Sequence, residues 1–220
     1  MFGAPMAADL VQRAQVGVVF TYGLIAFGLG SIPFAWLSVW ALQGRDVRTI
    51  GSGNPGATNA SRAFAGKGAR LAAFLSIYLL DAGKGFAAVL LMAAAHGELV
   101  WSTVAAALAV LGHVFTPWLG WRGGKGVATA TGALLALDWQ VAAIALGVFF
   151  VVRFATGQVF FGSLALGFAL PVAAVALQPD AAFGERLPLT LLCLLIAVFL
   201  FWTHRSNLKK HFAARAASGA

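Results

Sequence analysis

Nine residues, Gly51-Ser52-Gly53-Asn54-Pro55-Gly56-Ala57-Thr58-Asn59, place three glycines, a proline and four small polar side chains between two apolar stretches. Glycine supplies positive φ and asparagine tolerates it. A connecting turn seldom needs so many hydrogen-bonding side chains, however, so an anion-binding loop is one reading and a polar linker between helices the other. A second glycine cluster, Gly120-Trp121-Arg122-Gly123-Gly124-Lys125-Gly126, directly precedes a helix start expected near Val127. Successive glycines let backbone N–H groups turn toward a ligand. The helix N-terminus adds partial positive charge and Lys125 a full one, which suits phosphate. It is not a nucleotide-binding P-loop, because Gly126 stands where a magnesium-binding Ser or Thr is needed and the glycine spacing is one short. A plain basic loop placed by topology is the alternative.

Other candidates are sparser. Asp81 and Lys84 lie three apart on one helix face, either as a neutralising pair that fixes packing or as a functional pair. His113 is isolated, which more often marks a packing histidine than a ligand, and no partner at metal-binding spacing accompanies it. No metal and no cofactor is therefore expected. In His204-Arg205-Ser206-Asn207-Leu208-Lys209-Lys210, the first and fourth residues share a helical face; the segment also suits anchoring to lipid headgroups. Cys193 stands alone in an apolar run, so no disulfide framework is expected. No His is followed five residues later by Asp, and no Gly-x-Ser-x-Gly elbow occurs.

The elements that must position these groups are membrane helices. Of 220 residues 60% are hydrophobic and 10% charged, with mean hydropathy +0.87; soluble domains carry about 25% charged residues. An all-α, polytopic integral membrane protein follows, since the apolar runs approach span length and lack barrel alternation. The first run is uncharged from Ala14 to Gly44 without a cleavage site and is expected to stay. The net charge of +8 does not imply nucleic acid, because membrane proteins distribute cations asymmetrically for topological reasons.

Helices are expected over about 16–42, kinked at Ser31-Ile32-Pro33, then 71–95, 99–119, two short helices meeting near Asp138 within 127–154, 160–177 and 187–203. With that division, one side receives 12 of the 15 cations: Arg45, Arg48, Arg62, Lys67, Arg70, Arg122, Lys125, Arg153, Arg205, Lys209, Lys210 and Arg215. The other receives five of the seven acids, Asp9, Glu98, Asp138, Asp180 and Glu185. A single helix across 127–154 breaks this pattern, so the rule that cytoplasmic loops are positive selects seven helices, N-terminus out and C-terminus in. The whole chain, 1–220, is expected to form a single membrane-embedded domain with a flank at 1–15 and a poorly ordered tail at 211–220. All the glycine-rich and basic loops then fall at one membrane face, where a site can form.

Taken together, Gly51–Asn59, Leu80-Asp-Ala-Gly-Lys-Gly85, Gly112-His-Val-Phe115, Arg122-Gly-Gly-Lys-Gly-Val-Ala-Thr129 and His204-Arg-Ser-Asn-Leu-Lys209, with Ser31-Ile-Pro-Phe34, resemble the bacterial acyl-phosphate:glycerol-3-phosphate acyltransferases. The resemblance covers about residues 28–210. It implies a seven-helix, multi-pass protein of the bacterial inner (cytoplasmic) membrane with its site facing the cytoplasm. Ser52, Asn59, Lys125, His204 and Asn207 would act at the reacting groups. Gly53, Thr58, Arg62, Lys84, Gly123, Gly124, Arg153 and Thr156 would bind substrate, and the role of His113 stays open. Three departures stand out: Thr116 occupies the position of a family proline, the Asn59–Asp81 interval is longer, and the family's Thr-Arg-Tyr-x-Ser turn reads Val152-Arg153-Phe154-Ala155-Thr156. An offset pairing of that turn uses Ser163.

The implied reaction moves the acyl group of an acyl phosphate to the 1-hydroxyl of sn-glycerol 3-phosphate. It gives lysophosphatidic acid and inorganic phosphate, the first acylation step of phospholipid synthesis. The donor is already activated, so positioning and electrostatic stabilisation suffice. No strong protein base stands out, which fits the family reading that a substrate phosphate takes the proton. The expected partners are these two substrates, the lipid bilayer and an enzyme supplying acyl phosphate. A transporter or flippase for a phosphorylated solute or lipid is the alternative, since basic loops and the Asp81/Lys84 pair serve transport too. An anionic-lipid scaffold explains the tail but not the glycine loops.

Overall fold

Runs of Ala, Leu, Phe and Val with few charges form helices throughout the chain. The computed structural model describes residues 3–218. Residues 1–2 and 219–220, the outermost parts of the expected flank and tail, lie outside the described residues. Six segments, Gln15–Gln43, Lys67–His96, Leu99–Leu119, Trp139–Thr156, Val159–Leu177 and Leu187–Ala214, are long and apolar enough to cross a membrane. A seventh apolar helix, Val127–Leu137, has 11 residues and covers about 16 Å of a hydrocarbon core of about 30 Å. Phe20, Leu79, Phe154 and Phe168 are each about two-thirds or more exposed, an arrangement that only lipid stabilises over so many large apolar side chains. The helices group into two compact units, 1–137 and 138–220.

In the first unit, α1 (Gly3–Ser31) and α2 (Phe34–Gln43) replace the single kinked helix expected there, and α1 begins within the expected flank. Pro33 has no N–H and disfavours helical geometry at Ile32, so the kink becomes a full break. The carbonyls orphaned there find distant donors. Thr116 Oγ1 donates to Ser31 O at 2.6 Å, and Lys84 Nζ donates to Ile32 O at 2.7 Å. Thr116, the departure from the family proline, thus ties the α1 terminus.

A polar segment follows, carrying a short turn at Val47–Thr49, α3 (Ala57–Ala60) and another turn at Ser61–Ala63. Ala35, Val39, Val47, Ile50, Ala57, Ala60 and Ile77 bury against one another beneath it, so this loop has its own apolar floor. The axis of the unit is α4 (Lys67–His96), which packs against α1, α5 (Leu99–Val114) and α6 (Val127–Leu137). Small residues allow this close packing. Gly85 lies against the Thr129 backbone and Gly132 against the Ala82 carbonyl, where an added Cβ has no room.

The second unit contains α7 (Trp139–Thr156), α8 (Val159–Leu177), α9 (Pro179–Ala182) and α10 (Leu187–Ser218). Two helices do meet at Asp138: its carboxylate caps α7, accepting the Gln140 and Val141 amides at 3.0 Å each, and pairs with Arg186 at the foot of α10. At the unit's other end, His211 of α10 lies against the rings of Phe160 and Phe161 at the start of α8. The tail expected to be poorly ordered from 211 continues α10 to Ser218, because its alanines and basic residues are good helix formers.

Candidate functional site

The first loop is shaped by Asn59. This side chain is 3% exposed; its Nδ2 donates to Val47 O at 3.1 Å and to Ile50 O at 2.8 Å, while its Oδ1 accepts the Ser52 amide at 2.9 Å. Gly51 and Gly53 take φ of 51° and 74°, the left-handed region that lets the chain double back over Asn59. Arg62 lies across Gly51, close enough that a Cβ there would meet its guanidinium 2.7 Å away. Asn59 therefore spends its polar atoms on the loop, while Ser52, Thr58 and Arg62 are exposed and Gly53 half-buried. The Ser52 hydroxyl accepts only a long contact from the Asn54 amide, 3.5 Å. Asp46 anchors the loop's entry by capping the Val47–Thr49 turn. The Arg48 guanidinium hydrogen-bonded to it holds its carboxyl down at about 2.

The second loop joins α5 to α6, and its paired glycines, Gly123 and Gly124, serve the fold. The Gly123 amide donates to Val114 O at 2.8 Å and the Gly124 amide to His113 O at 3.2 Å, closing the loop onto carbonyls left over at the end of α5. In this structure both amides are thus engaged by α5. Gly124 is also the only residue type that fits beside the His113 ring, since a Cβ would collide with Nε2. Beyond them Lys125 is half-buried, one residue before Gly126 and two before the first residue of α6. Cations stabilise helix C-termini and work against N-termini unless an anion is present.

The two loops meet. Pro55 of the first and Gly123 and Gly124 of the second line one narrow cleft, together with Pro33, His113, Thr116 and Leu119. Lys84 does not line it: its ammonium is 2.7 Å from Asp81 Oδ1, hydrogen-bonded to Ile32 O and over the Phe34 ring, and the residue is 5% exposed. Sequence spacing showed the Asp81 partnership but not the carbonyl 52 residues away. His113, whose role the sequence left open, lies inside the bundle and at the cleft together.

The second unit holds Arg153, Thr156, His204 and Asn207. Thr156 is exposed; its Oγ1 donates to Val152 O at 2.7 Å and accepts the Gln158 amide at 3.3 Å, so this hydroxyl finishes α7. Ser163, its offset counterpart, is buried and donates to Val159 O at 3.1 Å. Arg153 is half-buried in the last turn of α7. His204 is 3% exposed and its Nδ1 bonds Leu200 O at 2.8 Å, which puts a proton on Nδ1. Asn207 follows one turn later on α10, half-buried. Among the described residues, no group of three His, Cys, Asp or Glu side chains is arranged to hold a metal.

A family model described as glycerol-3-phosphate acyltransferase matches residues 20–214. A protein of that name from Jannaschia sp. (strain CCS1) is 42% identical over 189 residues, 85% of this chain and 86% of its own. One from Prochlorococcus marinus (strain MIT 9211) is 32% identical over 200 residues, 91% and 94% of the two chains. Among solved structures, PlsY (YgiH), described as an integral membrane glycerol 3-phosphate acyltransferase, superposes in its glycerol 3-phosphate form with a TM-score of 0.78 at 27% identity, covering 90% of this chain and 93% of that one. Its lysophosphatidic acid form gives 0.75 at 25% identity over the same shares.

Proposed function

This chain belongs to the glycerol-3-phosphate acyltransferase family, and from that premise we propose that it takes the acyl group it places on glycerol 3-phosphate from an acyl phosphate. The observation that carries this reading is that the two glycine-rich loops adjoin, Pro55 of the first beside Gly123 and Gly124 of the second, which brings the segments bearing Ser52 and Lys125 near one another. Two neighbouring anion-attracting loops suit a reaction in which donor and acceptor each carry a phosphate. A thioester donor offers no such group at its reacting end, and the His-x4-Asp pair used on thioesters is absent from the sequence.

In this mechanism Lys125 and the start of α6 hold the donor phosphate and stabilise the charge it gains on leaving. The exposed Ser52 hydroxyl faces the donor phosphate, and Thr58 and Arg62, on the loop that Asn59 shapes, face the acceptor, with Gly53 giving the loop its turn. The 1-hydroxyl oxygen of glycerol 3-phosphate bonds to the acyl carbon and the carbon–oxygen bond to phosphate breaks. The departing phosphate accepts the hydroxyl proton. The products are 1-acyl-glycerol 3-phosphate, that is lysophosphatidic acid, and inorganic phosphate. In the second unit, Arg153, His204 and Asn207 are a cation and two hydrogen-bonding side chains at the ends of α7 and α10, chemistry that also suits phosphate. The segregation of cations and acids between alternate loops supports seven crossings, with α6 the short one, the N-terminus out, the C-terminus in and the site facing the cytoplasm of a bacterial inner membrane.

The donor is tested by offering purified enzyme glycerol 3-phosphate with palmitoyl phosphate or with palmitoyl-coenzyme A. Product is expected from the acyl phosphate alone. Equal or greater product from the thioester would overturn the donor assignment.

A further inference from the structure

Three buried ionisable groups on two helices take no part in the substrate chemistry above, and they touch one another. Asp81 is 2% exposed, Lys84 5% and His113 7%. Removing an ion from water costs several kcal/mol even when it is paired, and apolar packing fills the same space without that cost. The contacts show what the group does instead. At one end Lys84 Nζ binds Ile32 O, in the break between α1 and α2. At the other, the His113 ring lies against Gly124, and the His113 carbonyl accepts the Gly124 amide. Asp81 Oδ1 joins the ends, 2.7 Å from Lys84 Nζ and 3.5 Å from His113 Nδ1. It is fully buried yet has no well-aligned hydrogen bond, and it is held between the Lys84 ammonium and the His113 ring. A buried acceptor left in that state costs about 1–3 kcal/mol, and catalytic hydrogen bonds are often long in empty sites.

We propose that Asp81, Lys84 and His113 form a positioning relay that fixes the glycine loop, and with it Lys125 and the start of α6, against the α1–α2 break. His113 acts as a positioning residue, and Lys84 works through Asp81 instead of on substrate. Gly123 and Gly124 follow the same logic: one amide each to the end of α5, and no side chain where the ring must sit. The relay rests on the acyltransferase reading for its functional consequence, but its structural consequence is independent of that reading.

The test uses full-length H113F, H113Q, D81N and the D81N/H113F pair, measuring steady-state transfer to glycerol 3-phosphate and amide hydrogen exchange of residues 124–130. H113F keeps the ring volume and loses Nδ1, while H113Q restores an N–H toward Asp81. Misplacement of a catalytic group by about 1 Å costs roughly 10²-fold, so H113F and D81N are expected to lower kcat roughly 10- to 100-fold, with KM for glycerol 3-phosphate within about twofold. Residues in one network are not additive, so the double variant is expected to be no slower than the slower single one. H113Q is expected to recover part of the loss, and exchange at 124–130 to accelerate in H113F, D81N and the double variant, and less in H113Q. Wild-type kcat in H113F, an effect on KM only, additive losses, or H113Q no better than H113F would each overturn the relay. H113Q and D81N carry the same decision if H113F does not fold. A wild-type enzyme without transferase activity would sink the functional reading, while the exchange measurement would still decide the relay.

Discussion

Replacing Lys125 with alanine is expected to lower kcat roughly 10²- to 10³-fold, the range seen on removing one donor that stabilises transition-state charge. The size follows from electrostatics. A unit charge about 4 Å from a developing anion contributes about 4 kcal/mol at an effective dielectric constant of about 20. Lys125 sits beside the N-terminus of α6, whose partial charge has the same sign, so the two add at one point. The loss should appear mainly in kcat, because charge accumulates on the phosphate as its bond to the acyl carbon breaks. Lys125→Arg, which keeps the charge on a longer and planar head, is expected to recover part of it. Steady-state kinetics of the two variants check this, and a near wild-type rate for Lys125→Ala would move charge stabilisation to another residue.

The second large effect is expected at Asn59, through a different route. Asn59→Leu preserves approximate shape, leaves the Ser52 amide without its partner, and takes one of two donors from Val47 O and Ile50 O, which keep the Ile50 and Gly53 amides. An unpaired buried polar group costs about 1–3 kcal/mol, and losing three tethers at once releases the turn from its single conformation. Ser52 and Arg62 then lose their places, and kcat is expected to fall roughly 10²-fold or more by misplacement alone. The apolar floor under the loop does not involve the amide, so the helices should remain assembled. Hydrogen exchange at residues 47–53 accelerates if Asn59 shapes the loop. Unchanged exchange with a raised KM for glycerol 3-phosphate would mean instead that Asn59 binds substrate directly.

Asn59 also illustrates what the sequence can convey. Its motif marks a loop of unusual polarity, but only the fold shows that the amide faces inward. A distortion at Pro33 and a junction at Asp138 are legible, the one from a missing N–H and the other from the charge pattern of the loops, whereas the full break and the Asp138 cap of α7 appear only in the fold. Lys84 was harder to read. Its i–3 partner Asp81 is visible in the sequence, whereas Ile32 O comes from another helix whose terminus exists only because of Pro33. For the glycines of the second loop, the sequence shows that Gly123 and Gly124 lack side chains, not that their amides close onto α5. Thr156 likewise carries the hydroxyl that the family pattern needs and uses it within its own helix. His113 gave no spacing signal at all, since its neighbours come from α4 and the glycine loop.

The central claim is that this chain joins an acyl phosphate to glycerol 3-phosphate. The most direct measurement is phosphate release from palmitoyl phosphate by the purified protein in detergent solution, with no sealed membrane, alongside mass spectrometry of the lipid formed. Release that depends on glycerol 3-phosphate and matches 1-acyl-glycerol 3-phosphate mole for mole is the predicted result. Folded protein that releases no phosphate under these conditions, or releases it equally without the acceptor, would contradict it.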